Sequence, residues 1–439
     1  MNGLPSAFTR RRFTQLAAIT VGTLALGACA SETNNAPVSS SNEASDDEAS
    51  IGEQKTDQSF DQQEGHQNEA DTPADPAEQA RAIAKERVQN MSLAQKVAQL
   101  FVVAPEALVP EALVEGVSPV TQAAEIGQAM VVDYPVGGFV YFAPNIVSPD
   151  QTTSLLSGTS QLFAESENVL PFLCVDEEGG SVARIAGNEA FGVQDVGDAA
   201  DIGARDDAAA AKQAAEFIAE YASSLGFNCD FAPVADVVDP LVSDTMLLRS
   251  FSSDPAVASE MVRAQVEGFR EKNLVSCAKH FPGIGSAAGD SHDDLITTGH
   301  TLDDMREVDL VPFEAAVDAG VPMIMVGHLN MLAVTGEDVP ASLSPTVVQG
   351  LLRESLHFED IVITDSLAMG AVANYYTSDQ AAVAALCAGC DMLLMPENFQ
   401  AAYQGIIDAV LSGVISEDRI VESVVRILSI KQRYFDAIG

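Results

Sequence analysis

Residues 275–292 read VSCAKHFPGIGSAAGDSH: a short apolar, β-prone run closes on Lys279 and His280 and opens into a glycine-punctuated loop. The run at 275–279 has the length and composition of a buried strand. Gly283, Gly285 and Gly289 permit sharp turns that residues with a Cβ resist, so the loop can fold over a ligand and carry Asp290 and His292 back toward Lys279 and His280. The charged groups then converge at one strand end.

Working outward, eight such runs recur, at residues 100–103, 138–142, 172–175, 228–232, 275–279, 323–326, 361–364 and 392–395. Helical patterns lie between them, including 208–225, 255–272, 312–319, 345–356 and 378–388. This alternation is that of parallel βα units, and eight of them point to an α/β fold of the closed (β/α)8 TIM type, with a doubly wound open sheet as the alternative. Catalytic groups of such a barrel sit at the carboxyl ends of its strands. Here Asp176, Glu177 and Glu178 follow the third run, Asp230 and Asp236 lie in or after the fourth, and Lys279 and His280 close the fifth. His328 follows the sixth and Asp365 the seventh. Taken singly, Asp230 and Asp236 read as structural acids bonded to backbone amides or to a lysine.

The chain has 439 residues, 47% of them hydrophobic, enough for two or three ordinary domains or one large barrel. Its formal charge of -42 argues against nucleic acid as a partner, because a polyanion binder needs clustered Lys and Arg. Thr9-Arg10-Arg11-Arg12-Phe13 resembles a twin-arginine export signal, and the apolar stretch 16–28 is too short for a permanent span. It ends in Leu26-Gly27-Ala28-Cys29, which resembles a bacterial lipobox with Cys29 as the lipidated residue. An ordinary signal peptide cut near Ala28 or Ala30 is the alternative, and both readings export the protein.

The organisation expected is therefore an export signal with lipobox at 1–29, an acidic disordered tether at 30–80 and a catalytic barrel at 81–439. Between residues 30 and 80 Phe60 is the only aromatic and Lys55 the only Lys or Arg, so little apolar surface offsets the chain entropy. The protein is expected at the outer face of the bacterial cytoplasmic membrane, held through its lipid anchor alone and as a monomer. Of six cysteines, Cys29 leaves five, an odd number for a disulfide framework. Cys174, Cys229 and Cys277 lie in apolar runs and read as buried thiols, and the C-x-x-C at Cys387 and Cys390 lacks a thioredoxin context.

Several motifs carry a resemblance. Lys279 to His292 resembles the K-H-F-P-G-x-G-x-x-x-x-D-S-H signature of glycoside hydrolase family 3 β-N-acetylhexosaminidases. MSLAQKVAQLF at 91–101, DEEGGSVAR at 176–184, Arg249-Ser250-Phe251 and ITDSLAMGA at 363–371 are similar to further motifs of the family, in the same order. The resemblance spans roughly residues 85 to 437 and implies a retaining exo-acting enzyme that releases terminal N-acetylglucosamine from cell-wall or other amino-sugar oligosaccharides. It implies Asp365 as the nucleophile that forms a glycosyl-enzyme, and His292, paired with Asp290, as the general acid/base. Asp176, Arg184, Arg249, Lys279 and His280 would by the same resemblance bind the sugar, with no cofactor and no metal. Glu178 is expected to support a loop, His328 to stand behind the site, and His66, His300 and His357 to be ordinary surface residues.

The chain departs from the family at Ile284, Ser286 and Ala287, where many members carry a histidine, an aspartate and a threonine, and at Ile296, where a proline is common. These changes bear on loop closure. No second domain is expected after the barrel, so its own loops or a partner molecule would complete the site. A β-glucosidase of the same family and a non-catalytic sugar-binding lipoprotein remain as alternatives. A metal-dependent hydrolase using His280, His292, His328 and Asp365 lacks H-x-H or H-E-x-x-H spacing.

Overall fold

The computed structural model describes residues 75–110, 118–166 and 168–435. The export signal, Cys29 and nearly all of the expected tether lie outside these residues. Eight short strands build the centre: β1 Phe101–Val103, β2 Gly138–Tyr141, β3 Phe172–Val175, β4 Cys229–Asp230, β5 Val275–Phe281, β6 Met323–Val326, β7 Ile361–Thr364 and β8 Leu393–Leu394. Their order is β7-β6-β5-β4-β3-β2-β1-β8, all pairs parallel. A parallel bridge between Ile363 and Met392 joins β7 to β8, so the sheet closes on itself. The closed barrel, and not the open sheet, is the architecture.

Each strand reads as it does because both of its faces are covered; all residues of β1, β2, β3, β6 and β7 are buried. Helices Ala208–Leu225, Pro255–Glu271 and Ser378–Ala388 stand where the apolar periodicity places them. The segment 346–355 winds as a wider π-type helix. β4 is shorter than the run at 228–232 because Pro233 has no N–H for a ladder. Pairing with β5 nevertheless continues through carbonyls, with Cys277 N–H donating to Ala232 at 2.8 Å and Lys279 N–H to Pro233 at 3.1 Å.

The boundary of the tether moves. Pro76–Gln89 is a helix packed along the carboxyl-terminal helix Glu417–Phe435, so residues 76–80 belong to the folded body. Asp75 caps it by accepting from Ala77 N–H at 3.1 Å and Pro76 occupies the first turn, the usual start signals. The carboxyl-terminal helix closes the floor of the barrel. Its Lys431 is fully buried, donates to Gln99 Oε1 at 3.0 Å, and burial pushes its amine down to about 7. Asp391, just before β8, accepts from Val362 N–H and from Arg353, Arg426 and Ser423, tying strand and helix together. Among the described residues no helix is long and apolar enough to cross a membrane.

Candidate active site

The carboxyl ends of the strands surround a cavity of about 390 Å3. Asp176, Glu178, Arg184, Arg249, Lys279, His280, His292 and Asp365 form its polar part. Val140, Phe142, Met325, Met369, Leu394 and Met395 form an apolar part. Such a mixture suits a sugar, whose hydroxyls need donors and acceptors while its ring faces and any acyl methyl need apolar contact.

The charged wall is a chain of ion pairs. Lys279 Nζ lies 2.7 Å from Asp176 Oδ1 and 2.7 Å from Glu178 Oε1. Arg249 grips Glu178 with two bonds, Nε to Oε2 at 2.9 Å and Nη2 to Oε1 at 2.8 Å. Burial alone would raise the Glu178 carboxyl, but the charges of Lys279 and Arg249 outweigh it and hold the group down at about 2. Lys279 and Arg249 are in turn held above their ordinary values, against burial, by the surrounding carboxylates. Glu178, Lys279 and Arg249 therefore stay ionised at neutral pH, and Lys279 cannot serve as a base. Among the described residues Arg184 Nε is buried without a hydrogen-bond partner, a donor left over for a ligand.

Glu178 is thus no loop support; that role falls to Glu177. Neighbouring residues on a strand face opposite ways, so only one of the two carboxylates reaches the cavity. Glu177 turns inward, where its Oε2 accepts from Arg184 and Ile185 N–H at 2.6 and 2.8 Å and its Oε1 from Ala186 N–H and Tyr221 OH, both at 2.8 Å. These bonds fix the strand-turn that delivers Arg184. Asp230, also buried, accepts from Glu177 N–H at 3.0 Å.

Adjacent residues of β5 both face the cavity, and its register with β6 shifts between Ala278 and Phe281. His280 is oriented by Asp236, which takes its Nδ1–H at 2.8 Å and also accepts from Ile284 N–H at 2.7 Å. Nε2 of His280 is then the atom turned to the cavity, 3.4 Å from Arg249 Nη2. Asp365 follows β7 directly, its N–H bound to Val326 O at 2.8 Å and its Oδ1 accepting from Ser366 N–H at 2.7 Å. Behind it, His328 Nε2–H donates to Ser366 O at 2.9 Å while Nδ1 meets Ser342 Oγ at 2.8 Å. Burial keeps His328 below its usual value, so it is a neutral strut at physiological pH.

The β5 loop brings His292 into the cavity wall with Asp290 beside it; His292 Nδ1–H points at Asp290 Oδ1 across 2.7 Å, and His292 N–H reaches the same oxygen at 2.9 Å. That backbone bond first, and the imidazole second, hold Asp290 below the ordinary carboxylate value. With Nδ1 engaged, Nε2 is the free ring nitrogen. The altered middle of the loop is packed down: Ile284 and Ala287 are buried, and Ser286 Oγ meets Thr298 Oγ1 at 3.1 Å. Gly285 allows this, since a Cβ there would stand 2.1 Å from Val237 O. His300 is no idle surface residue either, for its Nδ1 meets the buried Asp309 Oδ2 at 2.6 Å under the loop.

Comparison with known proteins gives the family. The model of the glycosyl hydrolase family 3 N-terminal domain matches residues 92–430. A β-hexosaminidase A of Pseudoalteromonas piscicida is 30% identical over 328 residues, covering 69% of this chain and 54% of that one. The β-hexosaminidase LpqI of Mycobacterium tuberculosis is 31% identical over 322 residues, 69% of this chain and 78% of its own. A family 3 β-N-acetylglucosaminidase from Paenibacillus superposes with a TM-score of 0.73 at 34% identity, over 80% of this chain and 64% of the other. The chain thus spans just over half of the Pseudoalteromonas protein and under two thirds of the Paenibacillus one. With the family model covering most of the chain and the motifs gathered on one rim, this chain belongs to glycosyl hydrolase family 3.

Proposed function

We propose that the protein is a retaining exo-β-N-acetylhexosaminidase that releases terminal N-acetylglucosamine from cell-wall or other amino-sugar oligosaccharides. The observation that carries this reading is the shared cavity of a half-buried carboxylate on a rigid strand end, Asp365, and a loop-borne Asp290–His292 pair. Asp365 attacks the anomeric carbon while His292 Nε2–H passes its proton to the departing glycosidic oxygen, leaving a glycosyl ester on Asp365. His292, now neutral, takes a proton from water; the resulting oxygen attacks the same carbon, the ester bond breaks and Asp365 is regenerated. Two inversions give net retention. Lys279, Arg249, Arg184, Asp176 and His280 hold the sugar's hydroxyls by charge-assisted bonds.

A panel of aryl β-glycosides tests the assignment. N-acetyl-β-glucosaminide is expected to be cleaved at least about 100-fold better in kcat/KM than β-glucoside, a discrimination of about 3 kcal/mol. Preference for the glucoside would replace this reading with a β-glucosidase, and absence of any hydrolysis with a sugar-binding protein.

The location proposed is the outer face of the cytoplasmic membrane, through a lipid on Cys29. The supporting sequence is the arginine cluster followed by Leu26-Gly27-Ala28-Cys29. Cys29→Ala is expected to shift the protein from the membrane fraction to the soluble one; unchanged membrane association would refute lipidation at Cys29.

A further inference from the structure

The tip of the β5 loop is held by one neighbour. His292 O accepts from Gly370 N–H at 2.9 Å, and Ser291 O from Ala371 N–H at 3.3 Å. Asp293 O accepts from Asn374 Nδ2 at 3.1 Å, and Asp294 Oδ1 from Tyr375 OH at 2.6 Å. Among the described residues, the hydrogen bonds that tie residues 291–294 to the rest of the barrel all run to residues 370–375. That segment begins only five residues after Asp365 and continues the same strand end. The group that moves the proton and the group that attacks the sugar are therefore seated on one stretch of chain.

Gly370 is what lets them meet. A Cβ at this position would lie 2.2 Å from Asp293 O and 2.9 Å from His292 O. Gly370 has no left-handed backbone angle to explain it, so the reason for glycine is close approach. Any side chain there pushes the loop tip outward by an ångström or more, and proton transfer depends on placement at that scale. At the outer end Tyr375 is 57% exposed, and its bond to Asp294 is open to solvent. The inner end is covered, with Ala371 buried. The contact is thus firm beside the nucleophile and weak at the rim.

We propose that residues 370–375 are a latch that seats the acid/base loop over Asp365, with Gly370, Asn374 and Tyr375 as positioning residues acting through His292. The inference rests on the reading of His292 as general acid/base. It makes the latch, and not the loop's own glycines, the element that sets how completely the proton donor is engaged. The segment ITDSLAMGAVANYY at 363–376 thereby has two functions, attack at its start and docking of the proton donor at its end.

The test is a pair of substrates that differ in their need for acid catalysis: 2,4-dinitrophenyl N-acetyl-β-glucosaminide, whose phenolate leaves unaided, and N,N′-diacetylchitobiose, whose sugar alkoxide does not. For Gly370→Val, kcat/KM on the disaccharide is expected to fall roughly 100-fold, while on the dinitrophenyl glycoside it stays within about 3-fold. Tyr375→Phe and Asn374→Ala, surface changes that leave the fold intact, are expected to give the same selectivity at roughly 3- to 10-fold. A merely structural role would lower both substrates together through the fraction of folded enzyme. Equal losses on the two substrates, or no loss on either, in an active wild-type background would overturn the latch alone. A wild-type enzyme inactive on both glycosides would overturn the functional reading, and the latch with it.

Discussion

Replacing Asp365 by alanine is expected to lower kcat/KM for an aryl N-acetyl-β-glucosaminide by about 10,000-fold or more, with the fold intact by circular dichroism. The size follows from the role proposed for the carboxylate, which is to form the bond to the anomeric carbon and, before that, to stabilise the positive charge growing there. Burial works to raise its pKa, since a charged carboxylate loses part of its hydration in the cavity. The electrostatic influence of His280 and His328, the N–H of Ser366 and the charge of Lys279 outweigh that cost, so the net shift is downward. His328 is itself neutral near pH 7 because burial lowers it, so its help comes only in acid. The sign is then fixed: with a lowered value Asp365 stays ionised as pH falls through the ordinary carboxylate range near about 3.9, and the nucleophile limits the acid side only below it. The acid limb of kcat/KM in the wild type is therefore expected to come from another group. Azide added to Asp365→Ala is expected to enter through the vacated side and give an α-glycosyl azide, the inverted product. Residual turnover within about 10-fold of wild type would remove Asp365 from the reaction.

The strands were legible because a barrel strand is covered on both faces and so reads as an unbroken apolar run, as at Ile361–Thr364 and Met323–Val326. The polar residues after those runs were legible for the same reason, since only a strand end facing a cavity tolerates them. Which of two adjacent acids does what was not legible. Glu177 and Glu178 differ by a half-turn of strand, and their partners, Tyr221, Lys279 and Arg249, lie 44 to 101 residues away. The Asp236–His280 pair and the Asp309 beneath His300 were hidden likewise, because a buried acid announces itself only through the amides and rings that the fold brings to it. The start of the first helix was readable from Asp75-Pro76, a cap and first-turn signal outweighed by the acidic composition around it. Gly370 sat in a quoted motif, yet the close approach that requires glycine belongs to another loop and leaves no local mark.

His292→Ala is expected to cost less than loss of the nucleophile and to fail in a different way. General acid/base catalysis by a positioned imidazole contributes roughly 100- to 10,000-fold, so kcat/KM on an unactivated disaccharide is expected to fall within that range. The arrangement at the loop tip supports the proposed role of the residue as one of a pair. Asp290 accepts both the backbone N–H and the Nδ1–H of His292, which fixes the ring and leaves Nε2 as the nitrogen available to the sugar. Asp290→Ala removes that orientation and not the ring, so its loss is expected to be smaller than that of His292→Ala. In His292→Ala the glycosyl-Asp365 ester still forms from an activated aryl glycoside but waits for a water that no base deprotonates. Azide needs no base, and is expected to restore turnover and give a β-glycosyl azide, the retained product, opposite in configuration to that from Asp365→Ala. An α-azide from both variants would deny the covalent intermediate. No rescue in His292→Ala, with the fold retained, would assign the proton transfer to another group. The stereochemistry of one small anion thus separates the two halves of the site, the carboxylate on the rigid strand and the imidazole on the loop seated against it.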